Sequence, residues 1–224
     1  MAHLRNVGNV QSYGVRIPPL NLPGVLHVPA HAFSLVVFAH GSGSSRLSPR
    51  NLLVSESLNR SGMATLLFDL LQPGEEDANN RAKVFDIPLL ADRLVQVIRW
   101  SQHNVAVRDL PIGLFGASTG AAAALVAAAR LGEIGAVVSR GGRPDLAEDS
   151  LSAVKAPTLL IVGGEDFGVI ELNEQAYEQL GGTKKLVIVP GATHLFTEHG
   201  TLEQVVAHAK SWFETHLRTD VHRR

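Results

Sequence analysis

Residues 111–124 read Pro-Ile-Gly-Leu-Phe-Gly-Ala-Ser-Thr-Gly-Ala-Ala-Ala-Ala, and this stretch restricts the fold more than any other. Residues 112–115 form a short apolar run that predicts a buried strand, and the alanines from 121 onward have high helix propensity. Only Gly116-Ala117-Ser118-Thr119-Gly120 lies between them, so the chain must pass from strand to helix in one sharp turn. That turn lifts Ser118 above the sheet in a strained conformation, and glycines at 116 and 120 let neighbouring backbone pass close by. The helix that follows aims its free N–H groups toward the serine, where a developing oxyanion would be stabilised. The alternative is a glycine-rich turn whose serine merely caps the helix. The Gly-x-Ser-x-Gly pattern in a strand–turn–helix context favours a nucleophile.

The remaining chain alternates in the same way. Strands are predicted at 7–17 and 22–28, separated by Pro18-Pro19, then at 34–39, 64–71, 112–115, 134–139, 157–163 and 185–189. The run at 34–39 is continuously apolar, as suits a parallel strand buried on both faces. Helices are predicted from Pro49, with Ser48 as N-cap, to Gly62; from Asp86 to about 102; from the elbow to about 131; and over 169–180 and 201–217. Residues 72–81 read as a polar loop and 218–224 as a frayed tail. This alternation predicts an α/β fold: a mostly parallel sheet of about seven or eight strands with helices on both faces. The 224 residues fit a single domain, 1–224. In such sheets ligands bind at the carboxyl ends of the strands, and every unusual polar cluster here falls at such an end.

Composition narrows the function. A net charge of −1 gives no electrostatic footprint for nucleic acid or an anionic membrane. With 5% aromatic residues, a platform for stacking bases or sugars is not expected. There are no cysteines, which removes disulfides, thiolate metal sites and a cysteine nucleophile, and fits a cytoplasmic protein. The first residues, Met-Ala-His-Leu-Arg-Asn, carry no signal-peptide core, and the longest apolar helical stretch, 121–129, is far short of the ~20 residues that span a bilayer.

A serine hydroxyl needs a base, and the base needs a carboxylate to fix its tautomer. The expected chain order on this scaffold is Ser, acid, His. Asp166 follows the 157–163 strand in Gly-Gly-Glu-Asp, and His194 follows the last strand in Pro-Gly-Ala-Thr-His. Ser118, Asp166 and His194 are therefore the expected catalytic residues. Glu165 and Asp145 are the competing acids, and a turn or helix-cap role is the competing reading of Asp166. The oxyanion hole is expected from the N–H groups of Thr119 and Ser42, with Gly43 as the alternative to Ser42. A histidine base predicts loss of activity as the imidazole protonates at acid pH.

These pieces together resemble the α/β-hydrolase superfamily, over nearly the whole chain. The matching motifs are His-Gly-Ser-Gly-Ser at 40–44, Phe-Gly-Ala-Ser-Thr-Gly at 115–120, Gly-Gly-Glu-Asp at 163–166 and Pro-Gly-Ala-Thr-His at 190–194. Within it the chain is similar to the dienelactone hydrolase family, in particular the short bacterial serine hydrolases sometimes fused to a phosphoribosyltransferase domain. Dienelactone hydrolase itself uses a cysteine where this chain has Ser118, so an ordinary ester is the expected substrate.

The stretch 140–154 is too short for a helical lid, which predicts an open site and small, soluble esters. Arg46, Arg50, Arg140 and Arg143 fall in strand-end loops. One or more of the four would bind a carboxylate or phosphate on the substrate, and Arg140 and Arg143, with His40, are the candidates for substrate contact; pairing with Glu75, Glu76, Asp77 or Asp145 is the competing reading. His194-x-x-x-Glu198-His199 is neither His-Glu-x-x-His nor its inverse, so no metal site is expected, and no cofactor. The expected function is hydrolysis of a small ester through an acyl-enzyme, by a monomer or homodimer. Thioester, lactone or perhydrolase chemistry on the same triad, and a silent scaffold used as a binding module, remain alternatives.

Overall fold

The computed structural model describes residues 10–75 and 82–218. Eight strands lie in one sheet: β1 Val10–Ile17, β2 Leu22–Pro29, β3 Ser34–Ala39, β4 Met63–Phe68, β5 Ile112–Ala117, β6 Ala136–Arg140, β7 Thr158–Gly163 and β8 Lys184–Val189. Their spatial order is β1-β2-β4-β3-β5-β6-β7-β8. β1 pairs antiparallel with β2, and β2 antiparallel with β4; every other pairing is parallel. Five α-helices cover the sheet: α1 Pro49–Arg60, α2 Ile87–His103, α3 Thr119–Leu131, α4 Val169–Gln179 and α5 Thr201–Leu217. Among the described residues no helix is long and apolar enough to cross a membrane.

The central strands are buried at every position because both faces are covered. Alternate side chains go to opposite layers. Val37 and Leu114 join Leu90, Leu94 and Leu125 beneath α2 and α3. Val36, Phe38 and Phe115 join Val54 and Phe213 beneath α1 and α5. α3 is buried over its first ten residues, Thr119 to Ala128, wedged between the sheet, α2 and the 144–153 segment. A helix enclosed on all sides is apolar all round, and alanine allows the close approach.

Several boundaries differ from expectation. The first strand was expected from residue 7, but 7–9 lie outside the described residues, as do most of the expected tail and residues 76–81 of the polar loop. β4 ends at Phe68 rather than 71, because Asp69 to Leu71 turn away over the site. β6 runs 136–140 rather than 134–139, which carries Arg140 into the strand opposite Ala117. A short 3-10 turn, Ala82–Phe85, precedes α2. The segment expected to be too short for a lid is a 3-10 stretch, Pro144–Ala153, broken at Glu148. It buries Pro144, Ala147 and Leu151 and packs on α3 and α4, so it completes the core instead of roofing the site.

Candidate active site

β5 and α3 place Ser118 at the strand–helix elbow with φ 50° and ψ −123°. This backbone region is costly for a side chain, on the order of 1–3 kcal/mol, and persists only where its surroundings enforce it. The enforcement is visible. The Ser118 N–H donates to the Arg140 carbonyl at 3.3 Å, and the Ser118 carbonyl accepts from Arg143 N–H at 3.2 Å and Ala121 N–H at 3.0 Å. A Cβ at Gly116 would lie 2.4 Å from the Ala121 Cα, and one at Gly120 2.3 Å from the Ala39 oxygen. Only glycine fits at either position. The Ser118 side chain makes no cap hydrogen bond to its helix, so the capping reading has no support.

Asp166 and His194 come from the loops after β7 and β8. These loops lie against each other: a Cβ at Gly163 would be 2.3 Å from the Ala192 oxygen, and the Glu165 N–H donates to that same oxygen at 2.9 Å. This packing brings His194 Nδ1 to 2.7 Å from Asp166 Oδ2. The carboxylate accepts from Nδ1–H, which leaves Nε2 as the ring's basic nitrogen. Glu165 is exposed, and Asp145 holds Arg143 through two bonds of 2.9 and 2.7 Å. Of the three acids considered, Asp166 is the one bonded to His194. The link to Ser118 runs through Gly141. Its neighbour Arg140 accepts the Ser118 N–H, while a Cβ at Gly141 would lie 3.0 Å from the His194 oxygen and 3.6 Å from Nδ1.

The loop after β3 presses on the same serine. A Cβ at Gly41 would be 2.9 Å from the Ser118 Cβ, so the backbone leading into Ser42 and Gly43 runs beside the nucleophile. Thr119 opens α3, where an N–H has no acceptor within the helix. His40 is buried. Its Nε2 accepts from the Leu70 N–H at 3.0 Å, so Nδ1 carries the proton and donates to the Gly41 oxygen at 2.9 Å. It ties the end of β3 to the end of β4. A recess beside Ser42 and Thr119 is lined by Leu70, Leu71, Val84 and Leu90.

Two features escaped the sequence reading. Glu198 accepts from the Thr193 N–H at 3.0 Å and the Thr193 hydroxyl at 2.6 Å, clamping the turn that carries His194. These bonds hold its carboxyl down at about 2. In the sequence it stands out only as the glutamate of His194-x-x-x-Glu198-His199. Glu75, expected as a partner for the strand-end arginines, accepts instead from Arg93 at 2.6 and 2.9 Å and from Lys83 at 2.9 Å, fastening the loop after β4 to α2. Arg93 also donates to the Leu70 oxygen at 2.7 Å. Glu76 and Asp77, considered as arginine partners, lie outside the described residues. Among the described residues no group of three or more His, Asp or Glu could hold a metal.

Comparison with known proteins agrees with this architecture. A dienelactone hydrolase from Anabaena variabilis ATCC 29413 is 53% identical, with a TM-score of 0.89 over 94% of this chain and 100% of its own. Est1E from Butyrivibrio proteoclasticus shares the fold at 19% identity, with a TM-score of 0.74 over 91% of this chain and 98% of its own. Two Mycobacterium tuberculosis proteins that carry the provisional name phosphoribosyl transferase are 59% identical over 201 residues, 89% of this chain and 45% of theirs. The chain thus spans about half the length of these curated relatives. The family model for dienelactone hydrolases matches residues 22–217, and this chain belongs to the dienelactone hydrolase family.

Proposed function

We propose that the protein is a serine hydrolase that cleaves small carboxylic esters through an acyl-enzyme. The observation that carries this reading is the strained Ser118 elbow, linked through Arg140 and Gly141 to a hydrogen-bonded His194–Asp166 couple. A serine capping a helix needs neither the strain nor the couple. The name phosphoribosyl transferase belongs to relatives about twice as long, and the strand-end residues of this chain suit acyl transfer.

In the proposed mechanism the Ser118 Oγ attacks the ester carbonyl while His194 Nε2 takes its proton. Asp166 holds the imidazole through Nδ1 and stabilises the cation that forms. The N–H groups of Thr119 and Ser42 receive the oxyanion, each such donor supplying roughly 3 kcal/mol to the transition state. His194 returns the proton to the leaving alcohol, then activates water to release the acid. A serine at position 118 rather than a cysteine favours an ordinary ester over a dienelactone.

The test is covalent labelling. Wild-type protein incubated with a fluorophosphonate probe should be labelled and should hydrolyse 4-nitrophenyl acetate, and Ser118→Ala should do neither. Folded wild-type protein that takes no label and turns over no ester overturns the reading.

A further inference from the structure

The four strand-end arginines divide into two kinds. Arg46 pairs with Asp69, and Arg143 with Asp145. Arg50 and Arg140 pair with no carboxylate among the described residues. Arg140 is only 6% exposed. Its Nε is buried without an acceptor, and the same holds for the Nε of Arg50. The Arg140 Nη2 points at the first turn of α1, reaching the Asn51 Oδ1 at a long 3.5 Å. Its guanidinium carbon stands 6.0 Å from the centre of the Phe196 ring, two residues beyond His194.

The surroundings make this placement unfavourable for cations. Arg50 and Asn51 lie in the first turn of α1, a twelve-residue helix whose first turn contains no acidic side chain. A helix N-terminus carries partial positive charge. Two guanidinium groups therefore converge on a third positive feature. Burial, with the charge of Arg50 added, draws Arg140 down to about 10. A buried cation without a counter-charge is expensive, and here the cost would be met by an anion. The backbone of Arg140 runs beside that of the nucleophile, since its carbonyl accepts the Ser118 N–H.

We propose that Arg50 and Arg140, with the first turn of α1, form a recess for an anionic group, carboxylate or phosphate, on the ester that Ser118 cleaves. The proposal rests on the serine hydrolase reading. Guanidinium suits either group because its fork of N–H donors matches two oxygens at once. Arg143 and Arg46 are already occupied by their own carboxylates and contribute no donor to it.

The experiment compares kcat/KM on three substrates of similar length: neutral 4-nitrophenyl butyrate, 4-nitrophenyl hydrogen succinate, and 4-nitrophenyl 3-phosphonopropanoate. One or both anionic esters should be preferred, and which one identifies the group. In Arg50→Gln and Arg140→Gln the ratio of anionic to neutral kcat/KM should fall by about 10- to 100-fold, the usual effect of losing a charge-assisted bond. An unchanged ratio, or no anionic preference in wild type, overturns the proposal. If Arg140→Gln does not fold, the half-buried Arg50 decides. A second measurement does not need catalysis. Inorganic phosphate, at ionic strength matched with chloride, should raise the melting temperature of wild-type protein more than that of Arg50→Gln. Equal shifts overturn the recess. Protein that takes no fluorophosphonate label yet shows the phosphate difference would refute the hydrolase reading and keep the anion site.

Discussion

A methyl group at Gly120 is the sharpest test of how the elbow is held. In an ordinary helix Gly→Ala stabilises by up to ~1 kcal/mol. Here the added Cβ would lie 2.3 Å from the Ala39 oxygen, 2.5 Å from the His40 oxygen and 2.7 Å from the Ala39 carbonyl carbon. All three are backbone atoms, so no rotamer change relieves the clash. β3 is bonded to β4 on one side and β5 on the other. The strain must therefore be relieved by displacing the turn at 39–43. Overpacking of this kind costs about 1–3 kcal/mol. After the helix-propensity gain, we expect a net loss of about 1–2 kcal/mol, or a melting temperature lower by roughly 2–8 °C for a chain of this size. The displaced turn is the one lying against Ser118, and a misplacement of ~1 Å at a catalytic donor can cost about 100-fold in rate. The assay is thermal unfolding together with kcat/KM on 4-nitrophenyl acetate, well below either transition. Gly14→Ala is the control, because a Cβ there meets no atom within 4 Å. If Gly120→Ala is as stable as wild type, the packing argument is wrong. If it is destabilised but fully active, the 41–43 backbone does not serve the reaction.

Other perturbations follow from the same geometry. Asp166→Asn should keep the fold yet lower kcat by about 10³–10⁴-fold by offering Nδ1 the wrong partner, and a loss under tenfold in steady-state kinetics would remove Asp166 from the mechanism. Glu198→Gln weakens the clamp on the His194 turn; we expect kcat to fall several-fold with KM little changed, whereas a change confined to KM would point to substrate contact instead. Glu75→Gln leaves Arg93 buried with a weaker partner, and chemical denaturation should show a loss of about 1–2 kcal/mol, below the full buried-pair value because the carboxylate reaches solvent. The Arg93 bonds hold Glu75 down at about 2. Its contribution is therefore complete above the ordinary carboxylate range and is lost as pH falls toward 2, so acid unfolding of Glu75→Gln should start from lower stability and decline less steeply there. Leu90→Ala widens the recess beside Thr119 and should move the preferred 4-nitrophenyl ester from acetate toward longer acyl chains, and an unchanged chain-length profile would place the acyl group elsewhere.

The fold was legible wherever one physical demand acted alone. Strands buried on both faces had to be continuously apolar, as at β3, and the elbow had to carry glycines at 116 and 120 because backbone passes within clash distance. Ser48 and Asp86 announced their helices, and both cap them through the side chain, to Asn51 and Leu89. Legibility ended where tertiary contacts decided. Residues 144–153 looked like a loop because their burial is supplied by α3 and α4, which no local pattern records. The end of β6 was placed one residue short, since nothing local says that Arg140 pairs opposite Ala117.

The arginines show why composition and spacing cannot rank site residues. In sequence, Arg46, Arg50, Arg140 and Arg143 read alike: cations placed shortly after strands. Arg143 lies two residues from the acid that neutralises it, so its pairing was at least available locally. Arg46 finds its acid 23 residues away, on Asp69. Arg140 reaches 89 residues back to Asn51. Charge is a property of the chain, but a missing counter-charge is a property of the fold. A buried cation without one is disfavoured in the free protein, and binding an oxyanion there would recover electrostatic energy that a solvated arginine could not offer. Stability and affinity are then set in opposition at one residue. Arg140→Met, which removes the charge while filling a similar volume, should unfold at the same or higher temperature and lose its preference for anionic esters. A marked fall in melting temperature would mean that the guanidinium is satisfied in the free protein and is not waiting for a ligand.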